Sequence, residues 1–323
     1  MPRTTIHHEP IPATLCGCPS CQKKAGYPGI TYPSTSAFTQ VGGHYGTRQW
    51  EAGGRGPLYL GMELELSNAG ASAWRHACSY LGRGTLAEVK PDGGMMELTS
   101  HPMSPAYFMG HYPWRMLGEL RDRNVYAEPD RGGIHVHVNK TAFDGAVHIF
   151  NWMQFFYANP WEMTALGGRT QQGTRGGRHF QTVPSRDALM RLAEQVAAQV
   201  ELHNARHWAA THAVQRDGRR VFRAADRARI RAAEARQALQ PYGRWGEAAA
   251  INVRRHTETF EVRFPGAAIE PWVVKSRLQL VAAAAEFTRT LQNGDDQNLR
   301  FPLFADWAAA NRYPELSAAV ATL

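Results

Sequence analysis

The chain has 323 residues, 43% of them apolar and 20% charged, with a formal net charge of +8 at neutral pH. That length can bury one large core or two smaller ones, and the composition excludes a disordered chain. No run of about 18 uncharged apolar residues occurs, since the longest candidate, Trp272 to Phe287, is interrupted by Lys275, Arg277 and Glu286.

The N-terminus lacks the apolar core of a signal peptide, because Thr4 to Pro12 carries two His and a Glu. A soluble protein in the cytoplasm, with no membrane partner, is the expectation. The positive excess is arginine rather than lysine, spread through the whole sequence. Nucleic-acid binders concentrate charge in one patch or tail, so nucleic acid is not the expected partner. Anionic substrates, nucleotide phosphates included, suit the charge equally well.

Residues 1–56 are rich in Gly, Pro, Ser and Thr without sustained periodicity and read as an N-terminal arm. Three of the four cysteines, Cys16, Cys18 and Cys21, lie in it, and Cys78 stands apart. This is no disulfide framework for a chain of this size. Cys18-Pro19-Ser20-Cys21 has the spacing of half a zinc knuckle, and Cys16 with His7 or His8 would complete four ligands. The second Cys pair of such knots is missing, so an arm with exposed thiols stands beside the structural-zinc reading. A redox Cys-x-x-Cys needs a strand before it and a helix after it, and neither is visible.

Residues 57–323 read as the folded part. Leu58 to Leu66 alternates as a strand, with Glu63 and Glu65 on one face. Ala71 to Leu81 reads as a short helix. Ala87 to Lys90 and Met95 to Thr99 form a hairpin about the turn Pro91-Asp92-Gly93-Gly94. Pro105 to Arg123 reads as one helix. Gly132-Gly133 leads into the strand Ile134 to Val138, which places His135 and His137 on one face. Ala146 to Tyr157 reads as a buried helix. The segment from Gly167 to Arg178, with five glycines and three arginines, reads as a mobile basic loop.

Ser185 is a good N-cap for a helix carrying Leu189, Leu192, Val196 and Val200. A charged, Ala-rich helix follows from Phe222 to Leu239. Ala250 to Arg254 and Thr259 to Phe264 form a second hairpin, with Glu261 and Arg263 two residues apart. Pro271 starts a helix with Val274, Leu278, Val281 and Ala285 on one face. The mixture predicts an α+β fold with an antiparallel-rich sheet.

Each polar pair has an ordinary reading. Glu63 and Glu65 fit the wet face of a half-exposed strand, yet two like charges on one face repel unless a cation sits between them. Gly61 would allow a ligand or another backbone to come close. Paired strand histidines are common metal ligands and also ordinary polar-face residues. Asn139 would contact substrate or start a turn. Glu261 and Arg263 would be a surface ion pair of little energetic value, or, flanked by Phe260, Val262 and Phe264, a buried one that needs a reason. Asp92 suits local turn bonding, which leaves Glu97 the better ligand candidate of that hairpin.

The order of the motifs is more specific than any of them alone. Gly61-Met62-Glu63-Leu64-Glu65, Lys90-Pro91-Asp92-Gly93-Gly94, Glu97-Leu98-Thr99-Ser100-His101-Pro102, Gly132 to Val138, Asn252 and Thr259 to Phe264 together resemble the amidoligase family. That family belongs to the carboxylate-amine ligase superfamily, with glutamine synthetase and glutamate-cysteine ligase. The resemblance runs from about Pro57 to Phe287 and leaves the Cys-rich arm outside.

It implies an antiparallel sheet curved around the site with helices outside, as in the glutamine synthetase catalytic domain. It implies two Mg²⁺ (or Mn²⁺) ions held by Glu63, Glu65, Glu97, His135 and Glu261, with His137 near the nucleotide phosphates and Arg263 binding phosphate. Arg169 and Arg178 would supply further phosphate or substrate contacts from the basic loop. ATP would activate a carboxylate as an acyl phosphate, which an amine converts to an amide or isopeptide; either substrate can be part of a peptide or protein. Neither a Walker-type loop nor Gly-x-Gly-x-x-Gly is present, so metals and Arg would hold the nucleotide. Two other readings remain: a zinc hydrolase built on His135, His137 and a carboxylate, and a non-catalytic binding or scaffold protein that keeps the fold.

Overall fold

The computed structural model describes residues 58–81, 87–100, 102–169, 178–181, 183–211, 213–216, 219–238, 249–253, 259–292 and 296–323. The Cys-rich arm, with His7, Cys16, Cys18 and Cys21, lies outside them.

The sheet is built from β1 (Leu60–Leu66), β2 (Ala87–Asp92), β3 (Met95–Ser100), β4 (Ile134–Asn139), β7 (Ile251–Asn252) and β8 (Thr259–Val262), in the order β2-β3-β1-β4-β8-β7. Every neighbouring pair is antiparallel. The chain is therefore α+β with one open antiparallel sheet. A second, two-stranded sheet pairs β5 (Val214–Arg216) with β6 (Arg219–Val221).

The helices are α1 (Ala71–Tyr80), α2 (Pro105–His111), α3 (Arg115–Arg121), α4 (Ala146–Ala158), α5 (Pro160–Gly167), α6 (Arg178–Gln181), α7 (Arg186–Thr211), α8 (Ala224–Ala238), α9 (Pro271–Arg289), α10 (Phe301–Ala310) and α11 (Pro314–Val320). Among the described residues, no helix is long and apolar enough to cross a membrane.

Period-two alternation makes the sheet two-faced. Leu60, Met62, Leu64, Leu66, Leu98, Ile134, Val136, Val138, Phe260 and Val262 point to one side and are fully buried. Each such side chain contributes about 1.5–3 kcal/mol of transfer free energy. Behind β8, Trp152 of α4 packs on Phe260 with ring centroids 5.0 Å apart, and Phe143 meets the same ring edge-on. Helix α9 joins this core through Val274, Leu278, Val281 and Ala285, the stripe expected from the sequence.

Two expectations need correction, and a third lies largely outside the described residues. The turn at Pro91-Asp92 is shorter than expected, because β2 runs through both residues and only Gly93 and Gly94, both at positive φ, make the turn. Pro91 is tolerated because β2 is an edge strand. The single helix over Pro105 to Arg123 is two, broken where Tyr112 turns extended ahead of Pro113. A proline disfavours helical geometry in the residue before it. The basic loop is described only at its ends: Arg169 is buried and Arg178 opens α6, while residues 170–177 lie outside the described part.

The Ser185 cap holds, with its hydroxyl accepting from the Ala188 N–H at 3.3 Å. Arg223, Arg227, Arg229 and Arg231 are all exposed, on α8 or just ahead of it.

Candidate functional site

Strand register decides which polar groups meet. Directly opposed residues share a face, and Glu65 opposes Glu97, which opposes Lys90. Glu63 stands between Thr99 and His135. His137 stands between Gly61 and Glu261, and Glu261 opposes Asn252. The charged members of three distant motifs thus lie on the sheet face opposite the apolar core. Gly61 makes room for His137: a Cβ there would sit 3.3 Å from the His137 Cβ. Gly133 does the same for the other histidine, since a Cβ on it would meet His135 Nε2 at 2.8 Å and Arg169 Nη2 at 3.1 Å.

Among the described residues, two groups of potential metal donors emerge, each with oxygen or nitrogen atoms within 4.8 Å of one another: Glu63, His137 and Glu261, and Glu65, Asp92 and Glu97. In the first, His137 Nε2 is 3.4 Å from Glu63 Oε1. His135 Nδ1 lies 3.3 Å from Glu63 Oε2 and 3.6 Å from Glu261 Oε1. Glu261 is fully buried; it accepts from Asn252 Nδ2 at 3.0 Å and from the Arg263 guanidinium. The ion pair that could have been a surface ornament is therefore interior. Arg263 also has its Nε–H buried with no hydrogen-bond partner among the described residues, a donor an anion would satisfy.

In the second group Glu97 is almost fully buried, bonded to the Thr99 hydroxyl and 2.8 Å from Lys90 Nζ. Glu65 Oε2 accepts the Gly133 N–H at 2.6 Å.

Burial alone would raise the Glu63 carboxyl, but hydrogen bonds and charge from His135 and His137 outweigh it and hold the group far below the usual carboxylate range. Burial, then the Glu63 charge, pushes the Glu97 carboxyl up against the opposing effect of Lys90 and Thr99. A buried carboxyl raised by the charge of a neighbouring carboxylate is a place where a cation lowers the energy.

Both histidines reach Glu63, so the expected division, His135 on metal and His137 on phosphate, is not reproduced as two separate environments. Asp92, set aside as a turn residue, belongs with Glu65 and Glu97. The signal available for it was its parity with Lys90 once β2 is extended through Pro91. Arg169 sits beside Gly133 and donates to the Phe264 and Pro265 carbonyls at 2.8 and 3.2 Å. Asn139 serves the fold: its Oδ1 accepts from the Tyr59 N–H at 2.8 Å and its Nδ2 donates to Thr141. Arg277, not singled out from the sequence, is buried beside Arg169 and donates to the Gly266 carbonyl at 2.7 Å. Burial first, then the Arg169 charge, brings its pKa down to about 10.

A cavity of about 450 Å³ between α2, α9 and α11, lined by Met109, Leu278, Ala282 and Tyr313 among others, shares no residue with the polar face. Neither group of potential metal donors lines it.

No protein-family model matches the chain, and no curated protein matches it.

Proposed function

We propose that the polar face is the catalytic site of an ATP-dependent carboxylate-amine ligase of the amidoligase kind, on a glutamine synthetase-like sheet. The observation that carries this reading is the gathering of Glu63, Glu65, Glu97, His135, His137 and Glu261 on one face by strand register, with Arg263 bonded to Glu261.

The donor set fits magnesium or manganese. Buried and half-buried carboxylates, with the exposed Asp92, provide hard oxygens, and the first group adds one imidazole. Glu63, His137 and Glu261, with His135 in reach, would hold one ion, and Glu65, Asp92 and Glu97 a second. Bound there, the ions would offset the charge of the nucleotide phosphates.

The chain's own groups have definite tasks. His135 and His137 keep Glu63 ionised. Arg263 turns its buried donor to the transferred phosphoryl group, where it spreads developing charge. Arg169, with Arg178 as the second basic-loop candidate, adds positive charge for phosphate or substrate.

An oxygen of the substrate carboxylate attacks the γ-phosphorus and the bond to the β-phosphate breaks, giving an acyl phosphate and ADP. The amine nitrogen then attacks the acyl carbon, the carbon–oxygen bond to phosphate breaks, and the nitrogen loses a proton. The carboxylate and the amine can belong to small molecules or to a peptide or protein. Structural zinc on Cys16, Cys18, Cys21 and His7 completes the proposal and is checked by comparing zinc content of the full chain with that of Cys18→Ser.

The reaction is tested with a panel of carboxylates and amines and ¹⁸O in the carboxylate. Amide formed in step with ADP, with ¹⁸O appearing in inorganic phosphate, is the expected result. ¹⁸O in AMP, or amide formed without nucleotide, would contradict it. A second reading has one observation in its favour: Glu63, His137 and Glu261 are also a mixed set that suits zinc in a hydrolase. It predicts hydrolysis that ignores ATP.

A further inference from the structure

The two donor groups differ in the cation each already carries. On β2, Lys90 opposes Glu97 in register and places its Nζ 2.8 Å from Glu97 Oε1, the same oxygen that takes the Thr99 hydroxyl. Glu65 spends one oxygen on the Gly133 N–H. An ammonium is thus seated on Glu97, one of the three carboxylates of the group formed with Glu65 and Asp92, at the distance of a charge-assisted hydrogen bond. Glu63 has only imidazoles as ion-pair partners among the described residues. The nearest guanidinium in its group, Arg263, is bound to Glu261.

A lysine is suited to such a seat because it is a compact charge on a flexible stem. The Lys90 side chain is about one-third exposed (30%), so it has a route to solvent, whereas Glu97 beneath it has none to spare at 4%. An ion entering at Glu97 must break the 2.8 Å contact and meet the repulsion of a neighbouring positive charge.

We infer that Lys90 occupies the cation position of the Glu65, Asp92 and Glu97 group, so that a divalent ion binds there only by displacing it. The group of Glu63, His137 and Glu261 fills first. Filling of the second releases the ammonium toward the anion that arrives with the ion. This rests on the metal centre proposed above and adds its order of loading.

The test is a Mn²⁺ titration of the full chain without nucleotide, followed by the loss of free-ion paramagnetic resonance signal. Mn²⁺ is chosen because thiolates such as those of the arm favour softer ions. Wild type should show one tight site and a second weaker by about tenfold or more, the scale on which neighbouring groups tune metal affinity. Lys90→Met should tighten the second site by about the same factor and leave the first unchanged. Glu97→Gln should remove only the second. Metal-free Lys90→Met should melt below wild type and gain more from Mn²⁺ than wild type does.

Unchanged affinities in Lys90→Met, or equal tightening of both sites, would overturn the inference. No Mn²⁺ binding by either protein would overturn the metal centre along with it. Mn²⁺ behaviour as expected, with no response to nucleotide, would keep the inference and remove the ligase reading.

Discussion

His148, on α4, is buried with both ring nitrogens engaged: Nδ1 accepts the Asp144 N–H at 3.2 Å and Nε2 donates to the Ala285 carbonyl at 2.7 Å. That arrangement suits the neutral ring, because a second ring proton would face an N–H donor, although the Asp144 carboxylate lies 3.8 Å from Nδ1. Burial first, reinforced by Arg289 and opposed by the Ala285 hydrogen bond, brings its pKa from 6.5 to about 4. Between those values the unfolded chain binds a proton that the folded chain does not. Stability is therefore unaffected by this residue above pH 6.5 and falls as the pH drops toward 4, by up to about 3 kcal/mol. Denaturant titrations at pH 7 and pH 4.5 should show His148→Gln losing much less stability between the two than wild type does. An identical loss would mean that His148 titrates normally in the fold.

Gly133 makes a second prediction at the scale of single atoms. Its missing Cβ is what lets His135 Nε2 and Arg169 lie against β4. In Gly133→Ala the backbone need not move, because the atoms in the way belong to side chains. Mn²⁺ affinity should fall by about 10–100-fold with little change in melting temperature. A large drop in melting temperature with intact affinity would place the constraint in the fold instead.

At the scale of elements, the site depends on the packing behind it. Trp152, fully buried on α4, meets Phe260, Phe143 and Phe156 with ring centroids 5.0–5.3 Å apart. Phe260 is the residue before Glu261, so this cluster fixes the height of β8 against β4. Trp152→Ala should cost about 3–5 kcal/mol in equilibrium unfolding and weaken metal binding as β8 loosens. A cost below about 1 kcal/mol would mean that the cavity collapses without strain.

The strands that carry the site were legible because strong period-two alternation between two-faced partners leaves one register that buries every apolar side chain. Residue parity alone put Glu63 with Glu65 and His135 with His137. Parity does not say which strands are neighbours, so the division into two donor groups, and the place of both histidines around Glu63, came only with the register. Asp92 was lost to its Pro-Asp-Gly-Gly setting, where turn chemistry is the stronger local signal and an edge strand overrides it. The break at Tyr112-Pro113 was written in the proline but masked by the apolar run across it. The β5–β6 pair was missed although Asp217-Gly218, a strong hairpin dipeptide, lies between its strands.

For the whole molecule, one sheet separates two kinds of energetics. Its inner face is continuous with α4 and α9 in one apolar core, whose burial supports stability. Its outer face crowds Glu63, Glu65, Glu97 and Glu261 under Lys90, Arg263 and two imidazoles, a concentration of charge on one face of the sheet. Such a face is held by its scaffold at some cost in stability and is the part that should respond to ligands. The overall charge of +8 and the exposed arginines of α8 would raise the local concentration of anionic substrates at low ionic strength.

The most direct measurement is the melting temperature of wild type and Glu63→Gln with Mg²⁺ alone, with a non-hydrolysable ATP analogue alone, and with both. The account predicts in wild type a further rise of several degrees, beyond that given by Mg²⁺ alone, that requires both ligands, as about 2.7 kcal/mol of linkage at a hundredfold excess over Kd would give. It predicts that Glu63→Gln abolishes the rise. No response of wild type to the nucleotide in the presence of Mg²⁺, or the same rise in Glu63→Gln, would contradict it.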